Sequence, residues 1–317
     1  MTTYLPIIDL SGTFSEDAAA LIKVAQEIDA VGRKHGFFYV TGHGVPADLV
    51  EDMFSVTRQF FELPMEVKNA LNVSNSVSHR GYDPLGLQSL DPGQPTDLKE
   101  GFNIGKAFDP ARDTVARRHS PNQWPDETQL PEFKATSDRY FNALDGLGRH
   151  MLGLLALALK LPRDYFAASL TESLSTLRLL HYPPQDAIVD PAQMGCGAHT
   201  DWGSVTILAQ DNVGGLEVMD GEGHWQSVPP VPGAFVINLG DMAARWTNDL
   251  YRSSLHRVIN RVSGRDRYSL PYFFEVNTST IISALPGCFD DSNPARYPVV
   301  TAGEHLLQKY DESRVAA

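Results

Sequence analysis

Apolar residues in the first half of the chain recur at helical spacing in three stretches. The first stripe, over residues 21–31, predicts a helix that Ser15 caps and Gly36 ends. A second stripe covers residues 49–60, and a third lies within residues 131–161. Each stripe places one face of a helix against a core.

In the second half the pattern changes to short apolar segments with Gly- and Asp-containing turns between them. Segments of this length and composition are typical of strands. Many such strands in succession predict a β sandwich or barrel, of which a jelly roll is one form. A last helix is predicted over residues 302–314. The predicted strands cover residues 177–181, 205–209, 216–219, 234–238, 256–262 and 268–276.

Composition narrows the class of protein. The chain has 317 residues, of which 42% are hydrophobic and 21% are charged, as in an ordinary globular protein. Its formal net charge of -13 argues against non-specific binding to nucleic acid or to an anionic membrane. The apolar run over residues 151–161 is too short to span a membrane. Only two cysteines and no secretory leader pattern at the start predict a cytoplasmic protein.

His199, Asp201 and His256 are candidate metal ligands. Residues i and i+2 of a strand point to the same face, so His199 and Asp201 can reach one ion together. His256 can join them from a strand that is distant in sequence. Two histidines and one carboxylate hold Fe(II) on one face and leave the other coordination positions open. The chain has 10 histidines, so spacing alone does not settle the third ligand.

Arg267 and Ser269 repeat the i, i+2 spacing within a β-rich run. A guanidinium and a hydroxyl side by side are suited to gripping a carboxylate. Together with a metal site, this pair predicts an enzyme that binds a 2-oxo acid end to end. The alternative is a strand arginine in an ordinary salt bridge beside a solvated serine.

At these residues the sequence resembles the Fe(II)/2-oxoglutarate-dependent dioxygenases of the isopenicillin N synthase-like family. The motifs that carry the resemblance are His199-x-Asp201, the distant His256 and Arg267-x-Ser269. The resemblance extends over nearly the whole chain. Further matching segments are residues 5–9, 36–44, 60–64, 214–216, 232–241 and 248–258.

The resemblance implies a fold that is mostly β with flanking helices, around a double-stranded β-helix (jelly-roll) core. It also implies a division of the chain. An N-terminal α/β region over residues 1–110 packs on the core, and a helical segment covers residues 111–170. The core itself covers residues 171–290, and a C-terminal helix lies within residues 291–317.

The resemblance further implies cofactors and a reaction. His199, Asp201 and His256 bind Fe(II), and Arg267 with Ser269 binds the far carboxylate of the co-substrate 2-oxoglutarate. With O2, such an enzyme hydroxylates, desaturates or closes a ring in a small organic metabolite and releases succinate and CO2. A small-molecule substrate is therefore expected as partner, rather than nucleic acid or membrane. The identity of that substrate and the oligomeric state are left open.

One departure from the family pattern concerns the co-substrate. Many plant members carry Asn-x-Tyr at the position where this chain has Leu180 and Tyr182. Tyr182 retains one of the two co-substrate contacts that the resemblance implies, and Leu180 does not provide the other.

Two alternatives to a 2-oxoglutarate-dependent oxygenase stay open. One is an Fe(II) oxidase of the same family that uses O2 without 2-oxoglutarate, and the other is a non-catalytic metal-binding jelly roll.

Residues 74–105 show no clear period, which predicts a loop that forms part of the substrate pocket. The candidate substrate-binding residues are Arg80, Tyr82, Phe102, Trp202 and Phe274. Arg80 and Tyr82 come from this aperiodic stretch, and Trp202 directly follows a candidate ligand.

Three other polar residues near the motifs are expected to be structural. Cys196 lies at an odd offset from His199, so on a strand it points to the opposite face. Asn238 and Asp241 are predicted to brace a strand end and a turn rather than to take part in chemistry.

Overall fold

The computed structural model describes residues 4–15, 17–87, 95–111, 113, 119–184, 193–259 and 264–312. Among the helices described, none combines the length and the apolarity that a membrane crossing requires. The helices are α1 (Ala18–Lys34), α2 (Ala47–Phe61), α3 (Met65–Ala70), α4 (Phe133–Ala158), α5 (Asp241–Trp246) and α6 (Ala302–Glu312).

The first helix begins two residues later than the sequence pattern predicts. Asp17 caps α1, because its carboxylate accepts hydrogen bonds from the backbone N–H groups of Ala19 and Ala20. The hydroxyl of Ser15 instead donates to the carbonyl of Gly12 at 3.0 Å. The predicted cap at Ser15 is therefore wrong, and a carboxylate at the positive end of the helix dipole takes its place.

The strands are short and follow one another closely in the second half of the chain. Two strands also lie within residues 74–105, so the prediction of a loop over this whole stretch is wrong. The strands are β1 (Ile7–Asp9), β2 (Phe37–Thr41), β3 (Gly81–Asp83), β4 (Glu100–Gly105), β5 (Thr176–Tyr182), β6 (Cys196–His199), β7 (Val205–Gln210), β8 (Leu216–Met219), β9 (Trp225–Ser227), β10 (Phe235–Leu239), β11 (His256–Val258), β12 (Arg267–Phe274), β13 (Ile281–Ile282) and β14 (Val300–Thr301).

Two facing sheets form the core. The eight-stranded sheet has the order β1-β2-β10-β7-β12-β5-β4-β3, and the four-stranded sheet has the order β6-β11-β8-β9. From β5 to β12 the chain passes back and forth between the two sheets. This alternation is the double-stranded β-helix that the resemblance implies, and the expected fold is confirmed.

Strand alternation gives the eight-stranded sheet two different faces. The inner face looks toward the four-stranded sheet, and Tyr39 and Val236 lie on it in one apolar cluster with Val218 and Val258. The helix face carries the larger cluster, which contains Ile237 together with the apolar residues of α1, α2 and α4. The central strands of the eight-stranded sheet therefore contribute their alternate residues to two separate interiors.

The N-terminal strands are part of the large sheet. β2 pairs with β1 in parallel and with β10 in antiparallel orientation. At the opposite edge, β4 pairs with β5 and carries β3 as the outermost strand. The sheet thus runs across the boundaries predicted at residues 110 and 170, and the division into segments at 110, 170 and 290 stays a prediction.

Candidate metal centre and co-substrate site

His199, Asp201 and His256 come together between the two sheets. His199 ends β6 and His256 begins β11, and the two residues are direct neighbours in the strand register. Asp201 lies two residues beyond the end of β6. Its Oδ1 is 3.9 Å from Nε2 of His199 and 3.7 Å from Nε2 of His256. The three side chains place one donor atom each within 4.8 Å of the others.

The backbone sets the tautomer of both histidines. Nδ1 of His199 lies 2.8 Å from the carbonyl oxygen of Gly197, and Nδ1 of His256 lies 3.1 Å from that of Ser254. A carbonyl oxygen can only accept, so each Nδ1 carries a proton and donates. Each Nε2 therefore presents a lone pair on the side that faces Asp201, as a metal ligand must.

The two carboxylate oxygens of Asp201 have different neighbours. Oδ2 accepts hydrogen bonds from the Thr206 hydroxyl at 2.5 Å and from the Asn238 amide at 2.6 Å. Both donors come from the inner face of the eight-stranded sheet. Oδ1 is the oxygen that faces the two histidines. The eight-stranded sheet thus orients the carboxylate so that Oδ1 is directed to the place where an ion would bind.

The charge state of the three residues suits a divalent cation. Burial lowers the pKa of His199, and burial together with the nearby His199 lowers the pKa of His256. Burial alone would raise the pKa of Asp201, but His256, His199 and the bonds from Thr206 and Asn238 hold it below its usual value. Two neutral imidazoles and one carboxylate are the donors that Fe(II) accepts in an open facial site.

Arg267 and Ser269 lie side by side on the inner face of β12. Nη1 of Arg267 is 3.3 Å from the Ser269 hydroxyl, and its Nε donates to the carbonyl of Gly214 at 2.5 Å. Arg267 is 1% exposed. Among the described residues no carboxylate forms an ion pair with it. A buried guanidinium without an anionic partner is costly, so this position calls for an anionic ligand.

Tyr182 completes this end of the site. It pairs with Arg267 in the strand register, and the guanidinium carbon lies 4.7 Å from the centre of its ring. Burial raises the pKa of Tyr182, which keeps the phenol protonated as a hydrogen-bond donor. Leu180 is the register partner of Ser269 and is buried on the same face. The position that holds asparagine in many plant members is therefore apolar here.

Three of the five predicted substrate residues lie away from the metal centre. Tyr82, Phe102 and Phe274 are fully buried in the helix-face cluster, on the opposite side of the sheet from Arg267 and Ser269. The hydroxyl of Tyr82 donates to Glu100. The structure thus does not bring these three residues to the site, because each occupies the other parity of its strand.

The other two predicted substrate residues stay predictions. Nη1 of Arg80 donates to the Thr176 hydroxyl at 3.1 Å, and the guanidinium lies against Gly105 on the inner face. Trp202 is half-buried directly after Asp201, and it packs against the helix-face cluster.

Sequence reasoning misses four residues that line or support the site. Thr206 and Asn238 orient Asp201, although the sequence predicts only a bracing role for Asn238. Phe273 is half-buried on the inner face of β12 and pairs with Thr206. Arg178 lies on the inner face of β5 and bonds Asn103 and Asp83 at 2.9 and 3.0 Å. Counting alternate residues from Ser269 points to position 273, and counting back from Tyr182 points to position 178, but no such signal marks Thr206 or Asn238.

Two family models match the chain. One describes the N-terminal region of a non-haem dioxygenase in morphine synthesis and matches residues 5–127. The other describes the 2OG-Fe(II) oxygenase superfamily and matches residues 173–276. The second match contains the candidate metal ligands and the arginine–serine pair.

Individual proteins are similar over the full length. A 2-oxoglutarate-Fe(II) type oxidoreductase of Emericella nidulans is 38% identical, with 97% of this chain and 90% of the relative covered. A full-length Neurospora crassa protein, crystallised in complex with alpha-KG, has a TM-score of 0.88 at 30% identity, with 98% of this chain and 96% of that protein covered. A 2OG-Fe(II) oxygenase family protein of Caulobacter crescentus has a TM-score of 0.86 at 33% identity, with coverage of 98% and 99%.

Proposed function

The chain belongs to the 2OG-Fe(II) oxygenase superfamily and is a non-haem Fe(II)- and 2-oxoglutarate-dependent oxygenase of a small organic metabolite, and on that premise we propose which residues carry its chemistry. We assign Fe(II) to His199, Asp201 and His256. The observation that carries this assignment is that only one polar atom of each side chain faces the other two. Backbone carbonyls accept from both Nδ1 atoms, and Thr206 and Asn238 donate to Oδ2. The two Nε2 atoms and Oδ1 therefore converge.

When bound, Fe(II) would activate O2 with electrons from the iron and from 2-oxoglutarate, so that O2 could oxidise a C–H bond of the substrate while the oxo acid is converted to succinate and CO2. The protein's own residues orient and enclose the reaction. His199 and His256 would hold the ion as neutral ligands, and Asp201 would contribute one negative charge. This donor set would leave coordination positions for the co-substrate and O2.

We assign the far carboxylate of 2-oxoglutarate to Arg267, Ser269 and Tyr182. The buried guanidinium would gain the anion that the described part of the protein does not provide, and the Ser269 hydroxyl lies beside it. Tyr182 offers a protonated phenol on the same face. Leu180 can only pack against the hydrocarbon part of the co-substrate. Orientation of the oxo acid therefore depends on the arginine end more than in relatives that carry asparagine at this position.

The relatives favour 2-oxoglutarate over the oxidase alternative. The Emericella nidulans relative is named a 2-oxoglutarate-Fe(II) type oxidoreductase, and the Neurospora crassa protein was crystallised with alpha-KG. A non-catalytic jelly roll would have no use for an open metal face beside a buried arginine that lacks an anionic partner among the described residues.

We propose that the substrate lies between the open side of the metal centre and the outer strands of the large sheet. Phe273 offers a half-buried aromatic face there. Arg178 offers hydrogen-bond donors from a side chain that is 17% exposed. The Neurospora crassa protein was also crystallised with thymine, a small planar molecule with carbonyl acceptors. A small metabolite with such acceptors fits Arg178 and Phe273, and it would be hydroxylated, desaturated or cyclised according to which C–H bond faces the iron.

We further propose a cytoplasmic location and no nucleic-acid or membrane partner. Both cysteines, Cys196 and Cys288, are free and buried, which suits a reducing compartment. The formal net charge of -13 disfavours polyanionic partners.

An anaerobic titration tests the assignment. Fe(II) is added to metal-free protein, followed by 2-oxoglutarate, and the weak visible charge-transfer band of the chelated complex is recorded. We expect a saturable band that His199→Ala abolishes. Arg267→Lys should raise the dissociation constant of 2-oxoglutarate by about 10-fold or more, because a point charge replaces a two-pronged donor.

Arg257→Lys is the matched control for the arginine variant. Arg257 lies on strand β11 and pairs with Glu217 at 2.8 Å, so the same substitution there should leave the 2-oxoglutarate affinity unchanged. Tight Fe(II) binding without any band in the wild-type protein would contradict the co-substrate assignment. Equal effects of the two lysine variants would contradict the role given to Arg267.

A further inference from the structure

An ion pair between Lys99 and Asp97 is buried just before β4, with side chains that are 4% and 2% exposed. Nζ of Lys99 also lies 3.3 Å from Sγ of Cys196 in β6. Burial disfavours the ammonium form, but Cys196 and Asp97 outweigh it and hold the pKa of Lys99 above its usual value. Two apolar side chains could fill this space without the cost of desolvating charges. Packing alone therefore does not explain why a charged pair occupies this position.

The ion pair lies along the free edge of the strand that carries a metal ligand. β6 ends at His199 and is an edge strand of the four-stranded sheet as described. Residues 97–98 cover that edge. Oδ1 of Asp97 accepts from the backbone N–H of Gly197 at 2.8 Å, and Leu98 N–H donates to the carbonyl of Met194 at 3.0 Å. An edge strand lacks ladder bonds on one side, so these two bonds fix the position of the β6 backbone.

A continuous series of polar contacts leads from the ion pair to His199. Lys99 contacts Oδ2 of Asp97, and Oδ1 of the same carboxylate holds Gly197 N–H. The carbonyl of Gly197 accepts from Nδ1 of His199 at 2.8 Å. Asp97 therefore fixes the N–H group of Gly197, and the carbonyl group of Gly197 fixes the imidazole of His199.

We propose that Lys99 and Asp97 act as positioning residues for His199, and that they set the direction of its Nε2 by holding the Gly197 backbone. This inference rests on the assignment of His199 as an iron ligand. The contact with Lys99 holds the Asp97 carboxylate in place, and Asp97 holds β6 against the segment that precedes β4. Neither residue belongs to the group of three proposed iron ligands.

A second buried ion pair next to the first provides a matched control. Lys68 and Glu100 lie 3.0 Å apart, with side chains that are 6% and 9% exposed. Glu100 directly follows Lys99 and points to the helix face, where it also accepts from Tyr82. This pair has the same chemistry and nearly the same burial, but among the described residues its polar contacts do not include β6.

The test measures Fe(II) affinity of the full-length protein without O2, by competition with a chelator. We expect K99M and D97N to weaken Fe(II) binding by about 10- to 100-fold, the range found when an outer-shell partner of a metal ligand is lost. K68M should stay within about 2-fold of wild type although it breaks a pair of similar burial. D97L/K99M removes both charges and the bond to Gly197, so it avoids a lone buried charge and should fold while still binding Fe(II) weakly.

The Fe(III)/Fe(II) potential separates positioning by a charged pair from simple loss of packing. K99M leaves a negative carboxylate near His199, which should lower the potential, and D97N leaves an ammonium, which should raise it. Loss of packing alone would not shift the two variants in opposite directions, and an altered position of His199 shows in the Fe(II) affinity of D97L/K99M, which carries neither charge. If wild-type protein neither binds Fe(II) nor gives the 2-oxoglutarate band, the iron assignment itself is wrong. If wild type binds and K99M, D97N and D97L/K99M all match K68M, the positioning role is overturned.

Discussion

At the scale of single residues, the candidate site depends on which polar atoms make hydrogen bonds within the protein and which are directed at a ligand. Asp201 shows this most clearly, because Thr206 and Asn238 occupy one oxygen and leave the other directed at the two histidines. A carboxylate that is free to rotate could turn either oxygen to the ion. The two donors remove that freedom before the metal binds, which lowers the entropy cost of binding.

Thr206→Val tests this arrangement with a substitution that preserves shape. Loss of the hydroxyl should weaken Fe(II) binding by about 10-fold or more while the fold is retained. Thr57→Val is the control, since Thr57 is also buried and donates to a backbone carbonyl within α2. Chelator competition measures both variants. An unchanged Fe(II) affinity in Thr206→Val would show that Asp201 does not need this bond.

Sequence reasoning reaches the candidate ligands but not the residues that orient them. The i, i+2 pattern of His199 and Asp201 is visible in a single segment. Asn238 lies 37 residues from Asp201 and reaches it only because β10 and β7 pair in one sheet. No local pattern reports such a contact, and the sequence therefore indicates no more than a turn brace for this amide.

At the scale of elements, strand parity decides which interior a side chain enters. On β12, Arg267 and Ser269 face the metal side, so position 273 faces it as well and position 274 faces the helices. The sequence pattern identifies the strand but not which of its residues face the metal side. It therefore suggests Phe274 as a substrate residue. Phe274 instead packs so closely on Gly148 of α4 that a methyl group on Gly148 would lie 2.3 Å from its ring.

Alanine substitutions at these two neighbours should therefore have different consequences. Phe274→Ala should cost about 3–5 kcal/mol of unfolding free energy, as expected for a fully buried phenylalanine. Phe273→Ala should cost about 1–2 kcal/mol, because the side chain is only half-buried. Urea unfolding measures both. Equal losses would contradict the assignment of the two rings to different faces.

The strands β3 and β4 are missed by sequence prediction for a physical reason. β4 carries Glu100 and two glycines at buried positions, which removes the alternation of apolar and polar residues that marks a strand. Glu100 is tolerated there because Lys68, Tyr82 and His181 bond it. Polar residues satisfied by partners far along the chain look like loop residues when only the sequence is read.

At the scale of the whole molecule, the expected fold is confirmed, but the parts are more tightly joined than a core with attached segments. β1 to β4 complete both edges of the large sheet, and His305 of α6 bonds the carbonyl of Trp202 at 2.9 Å. The sequence pattern could indicate strands and helices one by one. It could not indicate that strands from opposite ends of the chain share one sheet.

The resistance of the whole fold to acid should depend on His150, which joins α4 to the N-terminal segment. The Thr13 hydroxyl donates to the Leu10 carbonyl, so its oxygen accepts from Nε2 of His150 at 2.7 Å. Phe14 stacks on the imidazole at 4.3 Å. Burial, with a smaller effect of Arg163, lowers the pKa of His150 to about 4.

The unfolded chain binds a proton at this histidine below pH 6.5, whereas the folded protein does so only near its lowered pKa. Stability should therefore fall as the pH decreases from 6.5 toward 4, by about 1–2 kcal/mol after allowance for partial exposure. Urea unfolding at several pH values measures this. His150→Gln keeps a donor to Thr13 but does not titrate, so the pH dependence should be shallower by that amount. Parallel curves for the two proteins would contradict the prediction.

The large sheet ends at β3, whose far side has no neighbouring strand in the described structure, and Asp83 of this strand bonds Arg178. The proposed iron ligands, by contrast, are held where two sheets meet and where a single methyl group on Gly240 would come within 2.4 Å of the backbone. Mutations are therefore unequally tolerated across the site. We expect descendants of this protein to acquire new substrates through changes in the outer strands, while the reaction that they perform on those substrates is inherited unchanged.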